Sequence, residues 1–391
     1  MAKLLMGFVG DMLVNRADPI EAFSKVRDLL KVPQILFGNL EGAYTDNPLP
    51  VPNAPEVQSA PAHNLNVYAD VGFNVLSLAN NHILDAGYEA MLATRSRLRD
   101  QSIRTCGVGD SLADAREPAI LEVGGIRVAF LAYASVFRVG YEARSARPGL
   151  APMRAYNFWR DPFPSLYDPG RNPIVTTVPD EADLANLTED IRRARGHADL
   201  VVASFHWGDY TRPFHLTDHE IRTAHYCIDQ GAHMVVGHHH HVLRGMEWYK
   251  GRPIMYGLGH FVFDLPLGWT EEEYDKRRLD WDPAGYWDQS QGPYTFAPRK
   301  GWPLLPMHED TRMTILAYAT STRDGIDDIG FLPCRLTPDG LINPLRVESA
   351  GSTEVVNFLE TCNRSQRLKS SIVPSESMDI AGYQTLRVIP N

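Results

Sequence analysis

Cysteine is scarce in this chain. Four residues among 391 (Cys106, Cys227, Cys334, Cys362) lie far apart with no C-x-x-C pair, which excludes a disulfide framework and a Cys-type structural zinc site and fits a reduced compartment. Long apolar runs are also lacking. The longest, around Val128–Phe137, has the length of a strand, well short of the roughly 18 residues needed to span a bilayer. There is no block of five like charges, and 38 basic against 48 acidic side chains give a net charge of −10, which argues against a nucleic-acid partner. The start, MAKLLMGFVGD, reaches Asp11 before any secretory apolar stretch develops, so a cytoplasmic protein with no membrane partner is expected. No P-loop, G-x-G-x-x-G or G-x-S-x-G occurs, so no organic cofactor is expected. What remains is 44% hydrophobic, 22% charged and 10% aromatic, a profile that excludes disorder and suits one large α/β domain or two ordinary ones.

One phrase repeats through the first two-thirds of the chain. A short apolar run ends abruptly in polar residues, and a helix-like stretch follows. Leu4–Val9 runs into Gly10-Asp11, Gln34–Phe37 into Gly38-Asn39-Leu40-Glu41, and Asn74–Ala79 into Asn80-Asn81-His82. Leu200–Phe205 runs into His206-Trp207-Gly208-Asp209, Met234–Val236 into Gly237 and four histidines, and Pro253–Leu258 into Gly259-His260. Strands alternating with helices predict an α/β sheet, and polar side chains past the carboxyl ends of such strands gather in one crevice. Two stretches, 138–180 and 265–307, break the pattern; they are rich in Pro, Gly and aromatics and read as long excursions. From Arg312 the pattern becomes alternating strand (MTILAYAT, DIGFLPCRL, LRVES), then a helix at about Thr353–Gln366 and a last strand near Thr385–Ile389. Residues 1–350 are expected to form one domain, with 351–391 as an extension of it.

Fourteen histidines occur, and nine fall in the 36 residues from His206 to His241. Some belong to ordinary structure: Thr217 and Glu220 have capping-box spacing, and Ile221, Ala224 and Ile228 mark the apolar face of a helix ending at Gly231, which makes His219 and His225 packing or surface residues. His206 and the 238–241 run differ, because both follow a buried-looking strand, and an H-x-H on a turn puts two imidazoles on one side. Neutral imidazole is a borderline ligand for Zn, Fe, Mn or Ni. With Asp11, Glu41 and the Asn81-His82 pair in the same crevice, the set matches a mono- or dinuclear site for a divalent ion.

Read in order, Gly10-Asp11, GNLE (38–41), NNH (80–82), HWG (206–208), GHHHHV (237–242) and YGLGHFVFD (256–264) resemble the CapA family of the calcineurin-like metallophosphatase superfamily, over roughly residues 3–350. The resemblance implies a four-layer α/β sandwich of two β-sheets flanked by helices. It implies one metal held by Asp11, Glu41 and His241, a second by Glu41, Asn81, His206 and His239, and His82 as the acid/base histidine. The ion is divalent, with Mn, Zn, Fe, Mg and Ca all open. This chain departs from the family pattern at Leu13, where the superfamily has the histidine of Asp-x-His, and at His240 and His260, where CapA sequences generally carry Pro and Asn. CapA proteins proper also carry an N-terminal membrane segment.

Such a centre supports hydrolysis or proton abstraction alpha to a carbonyl. Some CapA-like proteins of ribosomal-peptide clusters, among them a lasso-peptide epimerase, invert a peptide Cα, and this chain is similar to them in its weakened first motif, its extra histidines and its aromatic excursions. The expectation is a metal-dependent peptide epimerase acting on a bulky, near-terminal residue of a precursor peptide, with Asp11 and His82 as one acid/base pair and His260 in the other. The alternative is a metal-dependent hydrolase, a phosphoesterase or a γ-glutamyl or peptide amidase. A third reading, from another class, is a non-enzymatic scaffold for a cell-surface polymer machine.

Overall fold

The structure is a computed structural model that describes residues 3–266 and 299–391, except positions 53, 55, 56, 167 and 169, together with isolated positions 272, 273, 276 and 297. Leu4–Leu13 is buried along nearly all its length, as a strand covered on both faces must be. It lies inside a ten-stranded sheet, between Ile35–Leu40, which runs parallel to it, and Met313–Thr322, which runs antiparallel. Val75–Ser77 and Arg104–Cys106 continue the parallel side; Gly325–Leu336, Tyr383–Pro390 and Ser370–Ile380 continue the antiparallel side. A six-stranded sheet holds Ile126–Ala134, Leu200–His206, Met234–His238 and Arg252–Met255, all mutually parallel, with Ala119–Val123 and Met246–Tyr249 at its edges. All six apolar runs read from the sequence form strands, and within each sheet their carboxyl ends share one edge.

The period of two along Ile126–Ala134 shows how the layers stack. Val128, Phe130 and Ala132 enter the core between the sheets, where Phe130 stacks on Phe37 with ring centroids 5.3 Å apart. Ala129, Leu131 and Tyr133 enter a second core beneath helices Glu181–His197 and Asp218–Asp229, against Leu187, Ile191 and Ala224. Phe130→Ala would cost about 3–5 kcal/mol, since neither sheet can collapse into the space. Helix Tyr88–Asp100 covers the ten-stranded sheet at Arg104–Cys106. The result is helix, sheet, sheet, helix: the four-layer α/β sandwich of two sheets flanked by helices that was expected.

Three details differ from the sequence reading. The C-terminal helix, Ala350–Gln366, opens on Ser349, whose side chain accepts from Ser352 N at 3.2 Å; LRVES is therefore a turn into a helix, and the pairing strand before it is Ile342–Pro344. Ser370–Ile380 is an unforeseen strand on Tyr383–Pro390, its register broken between Pro374 and Asp379. Part of the first excursion is an antiparallel hairpin, Ala155–Arg160 with Ile174–Pro179, on which Tyr156, Phe158 and Trp159 are 50%, 56% and 66% exposed. Trp269, Trp281, Trp287, Tyr294 and Phe296 of the second excursion lie outside the described residues. Among the described residues no helix is long and apolar enough to cross a membrane.

Candidate metal centre

The parallel strands deliver the predicted side chains to one place. Asp11 stands where the pairing of Leu4–Leu13 slips against both Ile35–Leu40 and His260–Phe263, a bulge that re-aims the side chain. Two hydrogen-bond donors and two further imidazole nitrogens converge on its carboxylate. Asn39 Nδ2 donates to Oδ1 at 2.9 Å and His239 N to Oδ2 at 3.1 Å, while His238 Nδ1 and His241 Nδ1 each lie 3.4 Å from one oxygen. Burial opposes ionisation of Asp11, but the contacts from His238 and His241 outweigh it and hold the carboxyl well below its usual range.

Glu41 is the opposite case. It is completely buried, and neither carboxylate oxygen has a hydrogen-bond partner. Three imidazoles surround Oε1 without reaching it: His241 Nε2 at 3.7 Å, His82 Nε2 at 3.9 Å and His206 Nε2 at 4.0 Å. These separations are too long for hydrogen bonds and match two ligands sharing one ion at about 2.0–2.2 Å each. Burial, then the charges of Asp11 and Asp85, push the Glu41 carboxyl well above its usual range, so an ionised Glu41 requires a cation that the side chains do not supply. Donor atoms of Asp11, Glu41 and His206 lie within 4.8 Å of one another. The residues present fit a divalent ion.

The amides and imidazoles around this gap form a continuous chain whose tautomers follow from its ends. Asp85 can only accept, so His82 donates Nδ1–H to Asp85 Oδ2 at 2.7 Å, and His82 Nε2 accepts from Asn81 Nδ2 at 2.9 Å. Asn81 Oδ1 lies 2.7 Å from His206 Nε2, and His206 Nδ1 faces Asn39 Nδ2 at 3.4 Å. His239 Nδ1 lies 3.2 Å from His206 Nε2. Burial, then neighbouring imidazoles, keep His206, His239 and His260 well below the usual histidine range, so all three are neutral and available as ligands.

Thus Asp11, Glu41, Asn81, His82, His206, His239 and His241 meet in one site. His260 pairs with Asp11 in backbone register and is fully buried behind His241, with ring centroids 4.4 Å apart. Leu13, where the resemblance would place a histidine, is buried in the apolar core. His240, read as a spare imidazole, turns the other way and donates Nε2–H to Glu220 Oε1 at 2.8 Å. Asn39, Asp85 and His238 were not foreseen as site residues, although each sits within or beside a motif already noted. Tyr141 and Tyr210 carried no local signal. Tyr141 donates its hydroxyl to Asp85 Oδ1 at 2.7 Å, and partly buried Tyr210 stands edge-on to His239, with centroids 5.7 Å apart.

The family model "Bacterial capsule synthesis protein PGA_cap" matches residues 6–265, which include every side chain of this centre. The chain belongs to the PGA_cap family. Among its relatives is the PGA biosynthesis protein CapA of Bacillus subtilis, 31% identical over 281 residues that cover 68% of this chain but 64% of the relative. The capsule biosynthesis protein CapA of Bacillus anthracis is 30% identical over 286 residues, 68% of this chain and 61% of that one. The PGA_cap chain thus spans under two thirds of the length of either. A solved calcineurin-like phosphoesterase, YfkN of Bacillus subtilis, is 11% identical with a TM-score of 0.38, covering 93% of this chain and 97% of that one.

Proposed function

We propose that this chain is a metal-dependent peptide epimerase, which removes and returns the proton at a Cα of a bulky residue near the end of a precursor peptide. The observation that carries the reading is the His82–Asp85 pair. His82 retains 8% exposure amid an otherwise buried ring of imidazoles, and its Nε2 faces the gap at Glu41. Asp85 fixes the tautomer that leaves this nitrogen basic and stabilises the imidazolium formed when it takes a proton. Asp11, Glu41, Asn81, His206, His239 and His241 would hold the ion, which when bound supplies Lewis-acid stabilisation for negative charge developing on the peptide carbonyl.

Epimerisation also needs a proton carrier on the opposite face of the carbon. For that face the carrier is His260, which pairs with Asp11 in backbone register and whose ring lies 4.4 Å, centroid to centroid, from His241. Tyr210 gives the site an aromatic wall for an apolar side chain. Leu13 favours this chemistry over hydrolysis, because the usual two-ion arrangement for activating water loses one donor there. The hydrolase reading, for a phosphoester or a γ-glutamyl or peptide amide, retains one supporting observation: the same His82 stands ready to protonate a leaving group.

Protein purified without chelator and mixed with a peptide library in D₂O distinguishes the two by mass spectrometry. A gain of one mass unit without fragmentation, abolished by EDTA and by His82→Ala, is expected. Cleavage or phosphate release without Cα exchange would replace the epimerase with the hydrolase.

A further inference from the structure

His239 and His241 both have left-handed backbones, with φ of 93° and 58°. For residues with a Cβ such conformations are strained and persist only where the surroundings over-determine them. The residue between them is where that determination enters. The His240 side chain is completely buried and donates Nε2–H to Glu220 Oε1, whose side chain is equally buried. The other oxygen, Glu220 Oε2, accepts from Thr217 N at 2.6 Å and Thr217 Oγ1 at 2.7 Å, within the capping box of helix Asp218–Asp229.

The slot around this pair is built to hold a ring in one orientation. A Cβ at Gly208 would lie 2.2 Å from His240 Nε2 and 2.7 Å from Glu220 Oε1, and a Cβ at Gly257 would lie 2.9 Å from His240 Nδ1. The ring therefore fits only because two neighbours lack side chains. Glu220 makes no contact with Asp11, Glu41 or His206 in the structure, yet through His240 it reaches the middle of the turn that carries the other imidazoles.

We propose that Glu220 and His240 are positioning residues: their side-chain contact ties helix Asp218–Asp229 to the 238–241 turn and locks the turn so that His239 and His241 face the metal gap. The proposal rests on the reading of that gap as a metal centre, and its test separates the two. Protein stripped of metal is titrated with Zn²⁺ and with Mn²⁺ by calorimetry, with circular dichroism as the check on folding.

Glu220→Ala should weaken metal binding about 10–100-fold, the range seen when a contact that orients metal-binding groups is lost. Glu220→Gln should recover most of that loss, because its amide can accept from Thr217 and donate to His240. Thr217→Ala weakens the helix cap while keeping the Glu220–His240 contact; it should lower Tm and leave metal affinity within about two-fold. Should Glu220→Ala not fold, His240→Leu carries the test, since it fills the slot and cannot donate. Either truncation binding metal as tightly as the wild type, or Thr217→Ala weakening binding as much as Glu220→Ala, would overturn the clamp. A wild type that binds neither ion would remove the metal centre itself and the clamp with it.

Discussion

The turn at residues 237–242 and the hairpin at residues 155–179 reverse the usual placement of side chains in opposite ways. The turn buries four imidazoles beside two carboxylates, while the hairpin leaves Tyr156, Phe158 and Trp159 in water. The energetic consequences are unequal. An exposed aromatic merely forgoes a hydrophobic gain, whereas a buried charge or unpaired polar atom costs free energy unless something compensates it. At the turn part of that compensation is traceable. Asp11 accepts from Asn39 and His239 N and faces His238 and His241, His240 has Glu220, and nearby His82 has Asp85. Glu41 is where it fails, with both oxygens buried and no donor within hydrogen-bond reach, and His238 Nε2 is likewise without a hydrogen-bond partner. A buried carboxylate left unmet among imidazoles has a place for a cation.

The comparison can be broken most sharply at His82. His82→Ala should lower Cα exchange by about 10²–10⁴-fold, the usual range for a general acid/base, with metal affinity little changed. Exchange that survives would show that the exposed imidazole is not the proton carrier.

Glu41→Gln gives an effect whose sign depends on the ion. In metal-free protein, at a pH above the raised Glu41 value, the amide removes a buried charge that has no partner, and stability should rise by about 1–3 kcal/mol. With saturating metal the same substitution should lower Tm relative to the wild type, because the stabilisation from bound ion is lost. Melting curves with and without EDTA measure both; equal shifts of one sign would remove the cation from Glu41.

The pH dependence of metal-free protein follows from the same groups. His206, His239 and His260 titrate well below their ordinary range when folded, whereas the unfolded chain takes up those protons near pH 6.5. Stability should therefore fall as pH drops through about 6.5. Glu220, held down to about 2 because the contacts from His240 outweigh its burial, adds stability above its ordinary value of 4.5 that is lost only as pH falls toward 2. Glu41, raised when folded, acts in the opposite sense: it adds stability at low pH that is lost as pH rises from its ordinary value of 4.5 through its folded value. Three histidines outnumber this one carboxyl, so denaturant titrations of metal-free protein should show stability rising as pH increases toward about 6.5; a flat profile would contradict the burial of these groups.

The smallest effect belongs to the hairpin. Trp159→Ser should change stability by no more than about 0.5 kcal/mol. A loss above about 2 kcal/mol would mean that the indole is covered in solution.

Much of this arrangement was legible in the sequence because it is written locally. Each strand of the site ends in its own polar tag, and the Thr217–Glu220 cap is a three-residue pattern that the structure reproduces. What could not be read were partnerships across distance. Glu220 was recognised as a cap, yet its second task depends on a histidine twenty positions away whose direction is set by Gly208 and Gly257. Asp85 follows NNH closely and its bond to His82 is local, but its other oxygen is held by Tyr141, 56 residues on. Ser370–Ile380 carries Pro374 and mixed polar residues, so its alternation is weak; as the outermost strand it faces fewer packing demands.

Elemental mass spectrometry of protein purified without chelator, wild type beside Glu41→Gln, tests the metal centre most directly. A divalent metal bound in the wild type, stripped by EDTA and lost in Glu41→Gln, is the expected result. A metal-free wild type whose melting temperature rises with none of Zn²⁺, Mn²⁺, Fe²⁺, Mg²⁺ or Ca²⁺ would contradict it.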